Sequence, residues 1–431
     1  MSRAVPTLAW AATLGGLLLG WSVPVGAIDR AALAFTLVWL AQLVLSSRTC
    51  RNGWRSIPVL YLATFGLFHG GLLLSVSLRG SAGLVLPSGQ AWLYGPYLPG
   101  AVRLVLLGTV AFGTAVQLAG RGRAGSPPVE GPDTRLAAIG LVVQVFSLAA
   151  LSGALRSANY NAYLGATSGS TAVAYALLLI GFGTAFAVAG SRAQRRTGIV
   201  LFALFAVAGF PLGLRGEVLF PLAVVVAVEA RRGRRVPVAA AVPAAFAVLV
   251  LIGMVRQTRE DGTVALLHTG LSSPLDAVAE MGYSLYPTVV VQQWRAMGEP
   301  AEHGMTLVAV PVRLVERVTG WHGGPPEVDY RLFNVEVSSR VGPIGGSPVA
   351  EGYVNLGTPG TVLLMGVIGG LLGLVDRRCA DGALIAVVAL PVVLGIRQAL
   401  APLPVQILLG VALLAIGRLR LVRAPVQAVV R

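Results

Sequence analysis

The chain has 431 residues, of which 55% are hydrophobic and only 12% charged, and its mean hydropathy is +0.76. These values exclude an ordinary water-soluble globular protein and indicate a helical integral membrane protein. The formal net charge of +15 comes from 33 basic residues, all arginine, which lie in short loops rather than on one soluble face. We therefore expect no nucleic-acid partner.

Twelve apolar stretches follow one another along the chain, most of them long enough to cross a hydrocarbon core of about 30 Å as a helix. They lie near residues 4–27, 31–47, 57–79, 99–120, 135–155, 170–190, 197–214, 217–230, 236–255, 353–375, 382–400 and 403–417. The first is followed by a second span rather than by a cleavage site, so we expect it to be retained. The predicted fold class is all-α: a polytopic integral membrane protein with about twelve transmembrane helices.

Arginine-rich loops predict the orientation, because such loops stay on the cytoplasmic side. These loops are 48–55, 121–123, 192–196, 231–235, 376–378 and 418–423. The pattern predicts a multi-pass protein of the cytoplasmic (inner) membrane with both termini inside. The loops near 80–98, 156–169 and 256–352 would then face outward.

The stretch GFPLGLRGEVLF, residues 209–220, places Arg215 and Glu217 inside an apolar region. We interpret 197–230 as a hairpin, because one helix of that length would put two arginine-rich loops on opposite sides. The segment after Arg215 rises only about 21 Å at 1.5 Å per residue, so the hairpin tip would lie below the outer surface. A charge at that depth indicates a functional site. The alternative is an arginine that reaches the headgroups or pairs with Glu217.

Arg397 is a second charge at the predicted outer end of an apolar span. It has the same alternative explanation, an arginine that reaches the headgroups. Two guanidinium groups in outward-facing recesses favour an anionic ligand, since arginine offers a planar fork suited to phosphate oxygens. A lipid diphosphate would fit this depth.

The long segment 256–352, between the ninth and tenth spans, divides the chain. We predict an N-terminal bundle of about nine helices over 1–255, an extracytoplasmic loop with interfacial helices over 256–352, and about three further helices over 353–431. The run MTLVAVPVRLVERV, residues 305–318, is too short and too charged to span the membrane, so it is interpreted as an interfacial helix.

Cysteine and histidine positions predict neither a disulfide nor a metal site. Cys50 and Cys379 fall in predicted cytoplasmic loops, where thiols stay reduced. The four histidines lie at 69, 268, 303 and 322 and show no ligand spacing. No cofactor is expected.

The stretch 341–373 resembles the signature of Wzy-type O-antigen and oligosaccharide repeat-unit polymerases. In that family a Gly-Ser, a Glu and an Asn-x-Gly lead into a glycine-rich span. The matching residues here are Gly346, Ser347, Glu351, Asn355, Gly357 and Gly360. The upstream segment is similar at Glu280, Gly282, Gly298, Gly304 and Pro311, and LRGE at 214–217 resembles the family's arginine-led start of a short helix.

The resemblance implies glycosyl transfer at the outer face of the membrane, with donor and acceptor both carried on a polyprenyl diphosphate. The expected partners are this lipid-linked oligosaccharide, the bilayer, a chain-length regulator and a flippase. The predicted diphosphate ligands are Arg215, Arg397 and Arg340. The predicted catalytic residues are Glu351 and Glu280, with His303 as a reserve base, and the predicted glycan contacts are Tyr160, Tyr163 and Asn355.

Several of these roles have alternatives. Glu351 is also well placed to stabilise a helix N-terminus, and Glu280 to lie on the polar face of an interfacial helix. Tyrosines at 160 and 163 also suit an interfacial aromatic belt. At the level of function, an O-antigen-ligase-like transferase or a lipid-linked oligosaccharide flippase remains the alternative. The small number of charges at the midplane of most spans favours an enzyme over a transporter.

Overall fold

The computed structural model describes residues 4–80, 90–120, 131–157, 159–167, 171–231, 250, 273–321, 325–342, 344–379 and 381–419, and within them it contains helices and no strands. In chain order the α-helices are α1 Ala4–Trp21, α2 Ile28–Thr49, α3 Ile57–Arg79, α4 Leu98–Gly120, α5 Thr134–Leu151, α6 Tyr160–Thr167, α7 Thr171–Val188, α8 Arg192–Gly209, α9 Arg215–Arg231, α10 Pro274–Met281, α11 Tyr286–Ala296, α12 Met305–Val318, α13 Phe333–Val341, α14 Pro348–Arg378, α15 Gly382–Leu394 and α16 Leu403–Arg418.

Six of the described helices are long and apolar enough to cross a membrane: α1, α2, α3, α4, α5 and α14. Shorter apolar helices occur at Tyr175–Val188, Gly382–Leu394 and Leu403–Arg418. This composition confirms the all-helical integral membrane class. The total of twelve spans stays a prediction, because the stretch 236–255 lies almost entirely outside the described residues.

The helices pack side by side with small residues at the contacts, and the order of these contacts shows the relative direction of the helices. Along α4 and α14, Gly108 packs on Met365, Gly369 on Phe112 and Gly373 on Val116, so these two helices run in parallel. Along α2 and α3, Gly66 packs on Trp39 and Gly70 on Phe35, so they run in opposite directions.

The bundle therefore has two ends. We call one the Cys50 end, where α2 and α4 finish and where α3 and α15 begin. We call the other the Arg397 end, where α3 and α15 finish and where α16 begins. Arg51 donates its backbone N–H to Asp376 at 3.3 Å across the Cys50 end. Arg231 lies at the Cys50 end, whereas α10 packs on the last turns of α3 at the Arg397 end.

The predicted hairpin over 197–230 is confirmed as two helices, α8 and α9, joined by a turn at 210–214. Gly213 takes φ +81 in this turn, a left-handed conformation that glycine adopts without strain. Arg215 is the first residue of α9. Pro221 of α9 and Leu390 of α15 both pack on Gly181 of α7, which brings the start of α9 to the Arg397 end.

Two predicted spans differ from the helices that form. The span predicted at 382–400 ends at Leu394, and residues 395–402 make turns, in which Ile396 N donates to Val393 O and the Leu400 N–H donates to Glu351. Arg397 therefore lies in a turn and not in a helix.

The span predicted at 353–375 begins earlier, at Pro348, and breaks at Leu356 and Gly357, where the backbone leaves helical geometry. The piece 348–355 folds back on the piece 358–378, since Thr361 donates to Val349 O at 3.0 Å and Gly352 packs on Gly360. The second piece alone has a rise of about 31 Å, enough to cross the hydrocarbon.

The predicted division near 255 lies outside the described residues. Within 273–342 the chain forms the short helices α10 to α13. They contact α3, α4, α14 and α16.

Candidate active site at the Arg397 end

The short piece 348–355 of α14 begins with a buried serine that is held by a buried histidine. Ser347 caps the helix by accepting from Ala350 N, and its Oγ lies 2.8 Å from His69 Nε2. The other ring nitrogen of His69, Nδ1, lies 3.1 Å from Phe65 O, and the ring stacks on Phe65 with centroids 4.1 Å apart. Since a carbonyl can only accept, the proton is on Nδ1, and Nε2 accepts from the serine hydroxyl. His69 thus fixes the start of α14 to α3.

Two glycines before this serine pack against the backbone of Arg397. The Gly346 N–H donates to Arg397 O at 2.8 Å. Gly345 takes φ +83, and a Cβ on it would lie 2.8 Å from Arg397 O and 3.9 Å from Arg397 Nε. Only glycine fits here, for both conformation and space. The backbone of Arg397 and the root of its side chain are therefore positioned by the Gly-Gly-Ser sequence.

The guanidinium of Arg397 has no carboxylate partner among the residues that the structure describes. The residue is partly exposed, and no carboxylate of this described set lies within 4.0 Å of it. Arginine at the membrane level is costly unless it has a partner, so a guanidinium without such a carboxylate indicates a binding site for an anion.

Glu351 connects the Arg397 turn to α12. It is fully buried, its Oε2 accepts from Leu400 N at 2.7 Å, and its Oε1 accepts from Thr306 Oγ1 at 3.1 Å. One carboxylate thus anchors both the turn that carries Arg397 and the first turn of α12. The carboxyl group of Glu351 is thus fully buried, and the protein itself engages both of its oxygens.

Asn355 extends the same network to the helix break. Its amide donates to Thr306 Oγ1 at 2.7 Å, and its Oδ1 accepts from Gly304 N at 2.8 Å. The break frees two carbonyls of α14, which accept from the backbone of the turn before α12. Asn355 O accepts from His303 N and Val354 O from Glu302 N, each at 3.1 Å. Asn355 is 1% exposed, so it holds the turn 302–304 and offers no surface to a glycan.

His303 is the exposed member of that turn. It takes φ +48, an uncommon conformation for a residue other than glycine, and its backbone is fixed by Asn355. Strained backbone that persists because its surroundings fix it is frequent at functional sites. His303 and Arg397 are therefore linked through Asn355, Thr306 and Glu351, with the imidazole and the guanidinium at the accessible ends of the network.

Arg340 lies in a different environment. Its guanidinium donates to Glu299 at 2.6 Å and to Glu336 at 2.8 Å, and it sits 4.3 Å from the centre of the Trp294 ring. Burial raises the pKa of Glu336 despite the nearby Arg340. The predicted diphosphate ligand is thus already neutralised by two carboxylates of its own chain.

The other predicted residues fall at separate positions. Arg215 begins α9 at the Arg397 end, and its side chain lies outside the described set. Glu280 is partly exposed on α10, which packs on α3 through Val278 and Gly71. Tyr160 begins α6, and its side chain also lies outside the described set. Tyr163 is 3% exposed and packs in an apolar cluster with Phe202 and Phe205, so its ring is not open to a sugar.

Sequence reasoning missed His69, Thr306 and Leu400. The signal for His69 was available, because it is the one histidine inside a predicted span, and an ionisable residue there indicates function. Thr306 and the Leu400 N–H carry no such signal, since their roles depend on the long-range fold. Within the described part of the chain, no three His, Cys, Asp or Glu residues are grouped as a metal site would require.

Comparison with curated proteins and with solved structures gives no match. The family model described as O-antigen polysaccharide polymerase Wzy matches residues 146–408. This range covers more than half of the chain and includes every predicted site residue, while His69 lies before it. The chain therefore belongs to the O-antigen polysaccharide polymerase Wzy family.

Proposed function

We propose that the protein joins oligosaccharide repeat units, carried on polyprenyl diphosphate, into a surface polysaccharide at the outer face of the cytoplasmic membrane. The observation that carries this proposal is the guanidinium of Arg397, which has no carboxylate partner in the described part of the chain and whose backbone packs on Gly345 and Gly346 at one end of an apolar bundle. Diphosphate is the anion that a lipid-linked sugar donor presents at that level. Arg215, at the start of α9 and at the same end, is proposed as a second ligand.

In the proposed reaction an acceptor hydroxyl attacks the anomeric carbon of the donor sugar. The new glycosidic C–O bond forms as the bond to the diphosphate oxygen breaks, and the electron pair leaves with the diphosphate. Arg397 stabilises the negative charge that develops there, which is the type of interaction that speeds group transfer most. The hydroxyl proton passes to a base, and the exposed His303 is our first candidate.

Two predicted roles change in this proposal. Glu351 becomes a positioning residue that holds the Arg397 turn, and Glu280 is the second candidate for the base. Arg340 and Tyr163 are left out of the site, because the first is ion-paired and the second is buried. A chain-length regulator and a flippase stay expected partners.

The test is a deletion strain whose lipid-linked glycans are sized on a gel after complementation. Wild type should restore long polymer, and Arg397→Ala should reduce polymer by about 10²-fold or more, the typical effect of removing one preorganised charge donor. Arg397→Lys should restore little, because the bidentate fork is lost. Arg196→Ala, an exposed arginine at the Cys50 end, is the matched control and should behave as wild type.

The outcomes separate the alternatives. Single repeat units that accumulate on the lipid indicate a polymerase. Long polymer that stays on its lipid carrier indicates a ligase. Normal polymer with Arg397→Ala would remove the diphosphate role of this residue.

A further inference from the structure

The helix α12, Met305–Val318, is amphipathic, but its apolar side is the exposed one. On a water-soluble protein the apolar side of a surface helix is buried. On α12 the exposed apolar side chains include Val308 at 46%, Leu314 at 53%, Val315 at 62% and Val318 at 80%. At 100° per residue these four side chains share one half of the helix. We call this half the outward face of α12.

The charged side chains of α12 point the other way. Arg313 and Glu316 each have 19% of their side-chain surface exposed, far less than the valines. Arg313 pairs with Asp329, and Glu316 pairs with Arg331 at 2.7 Å. The Arg331 guanidinium lowers the pKa of Asp329 to about 2, so this carboxyl is charged at neutral pH. The charges of Arg313 and Glu316 are thus turned inward and paired, and they lie on the side of α12 opposite to the outward face.

The position of α12 in the bundle shows at which level this face lies. The helix begins at Gly304, bound to Asn355, and its Thr306 is fully buried against Glu351. Both partners belong to the folded-back piece of α14, inside the bundle. The helix also contacts α16, whose own exposed side is apolar through Leu408 and Val411. The outward face of α12 therefore continues the lipid-facing surface of the membrane helices.

The end of α12 has the residues of a membrane interface. Arg317 is exposed in its last turn, where a long side chain reaches the headgroups. Trp321, 80% exposed, follows one turn later, and tryptophan is enriched at this level. With about 21 Å of length the helix does not cross the bilayer.

We propose that α12 docks into the hydrocarbon of the membrane leaflet at the Arg397 end, and that the partner of its outward face is the lipid itself. The helix then forms a lipid-facing wall beside the Arg397 turn, on a segment that the sequence assigns to an extracytoplasmic loop. This inference rests on the packing and charge of α12 and does not depend on the proposed reaction.

The test measures the accessibility of spin labels on the full-length protein in vesicles of phosphatidylethanolamine and phosphatidylglycerol. Cys50 and Cys379 are replaced by alanine, and single cysteines are introduced as Val308→Cys, Val315→Cys and, as a matched control, Ser338→Cys. Ser338 is exposed on the polar helix α13. Labels collide with oxygen, which concentrates in hydrocarbon, or with a water-soluble nickel chelate.

We expect positions 308 and 315 to collide mainly with oxygen and position 338 mainly with the chelate. Collision of 315 with the chelate to the extent seen at 338 would show that α12 lies in water. Low collision with both reagents at 308 and 315 would show that protein, such as a second copy of the chain, covers the face. Either result overturns the proposal, and neither depends on polymerase activity.

Discussion

Two arginines at the same end of the molecule, Arg397 and Arg340, are held in opposite ways. Arg397 is fixed through its backbone by Gly345 and Gly346, and its guanidinium has no carboxylate partner among the described residues. Arg340 is fixed through its guanidinium by Glu299 and Glu336. The sequence analysis predicts the same role for both residues, as ligands of a diphosphate. The comparison shows that the availability of a cation depends on which carboxylates the fold brings to it.

The largest effect should come from breaking the support of Arg397 at Glu351. Glu351→Ala leaves the buried Leu400 N–H without an acceptor, which costs about 1–3 kcal/mol of stability, and it releases the Arg397 turn. We expect polymer to be lost on the glycan gel. Glu351→Gln keeps an oxygen for Leu400 N and an amide that can donate to Thr306, so most polymer should remain.

This pair of variants also tests the role of the carboxyl. If the glutamine variant is as inactive as the alanine variant while both proteins stay folded and inserted, Glu351 is the base and its positioning role is wrong. Polymer made by the glutamine variant excludes proton transfer by this residue, because an amide does not accept the proton at neutral pH.

A smaller effect should come from adding a methyl group at the position that packs against the backbone of Arg397. Gly345→Ala places a Cβ 2.8 Å from Arg397 O at a residue with φ +83, so the turn must shift. Gly342→Ala is the matched control, because Gly342 has φ +90 and nothing within 4 Å of its Cβ position. Both variants carry a backbone strain of about 1–2 kcal/mol. Only Gly345→Ala should reduce polymer length, and an equal reduction in both would mean that strain alone is responsible.

The smallest loss of activity should follow a change at the other arginine. Arg340→Ala removes two ion pairs of a partly exposed arginine, each worth about 0–1 kcal/mol, and leaves the Arg397 turn untouched. Polymer on the gel should stay close to wild type, while the thermal midpoint in detergent falls slightly. Loss of polymer comparable to that of Arg397→Ala would show that both arginines are required for polymer formation.

How far the sequence predicts this molecule depends on the range of the interaction. Hydropathy predicts the membrane class and the hairpin over 197–230, because both follow from local runs of apolar residues. It does not predict that α15 ends at Leu394 or that α14 folds back at Gly357. The turn that follows α15 is held by a hydrogen bond between Leu400 and Glu351, 49 residues apart, and the fold-back of α14 by close packing of Gly352 and Gly360.

The same limit applies to the site. Arg397 stands out because it is a charge next to an apolar run, and Gly346 and Ser347 match the Gly-Ser of the family motif. The pairing of Arg340 with Glu299 spans 41 residues, and the bond of His69 to Ser347 spans 278, so neither is visible in the sequence. Local composition can single out a charged residue beside an apolar run, but it cannot show which distant residue will be its partner.

A final prediction concerns pH and the ion-paired region that includes α12. The pKa of Asp329 is lowered from 3.8 to about 2, first of all by its hydrogen bond to Arg331. A group whose pKa is lower in the folded state stabilises the fold above its unfolded pKa and loses that contribution as the pH falls through the folded value. The ion pairs of Asp329 that hold α12 should therefore stay intact at pH 4 and above and be lost between about pH 4 and pH 2. The protection of the α12 amides, taken relative to the intrinsic exchange rate at each pH, should fall in that window.

The Arg397 turn, which is held through its backbone, supplies the internal reference for this exchange measurement. Arg397 and Gly346 are joined by a backbone hydrogen bond that does not titrate, so amides of the Arg397 turn should show no step that can be assigned to Asp329. Asp329→Asn removes the titrating group. It should abolish the pH-dependent step in exchange of the α12 amides and weaken the contacts of residue 329 with α12 at every pH. A step that persists in Asp329→Asn would belong to another carboxyl, and Glu316 or Glu336 would be examined next. A step of equal size in both regions would mean that the Arg397 end responds to acid as one unit.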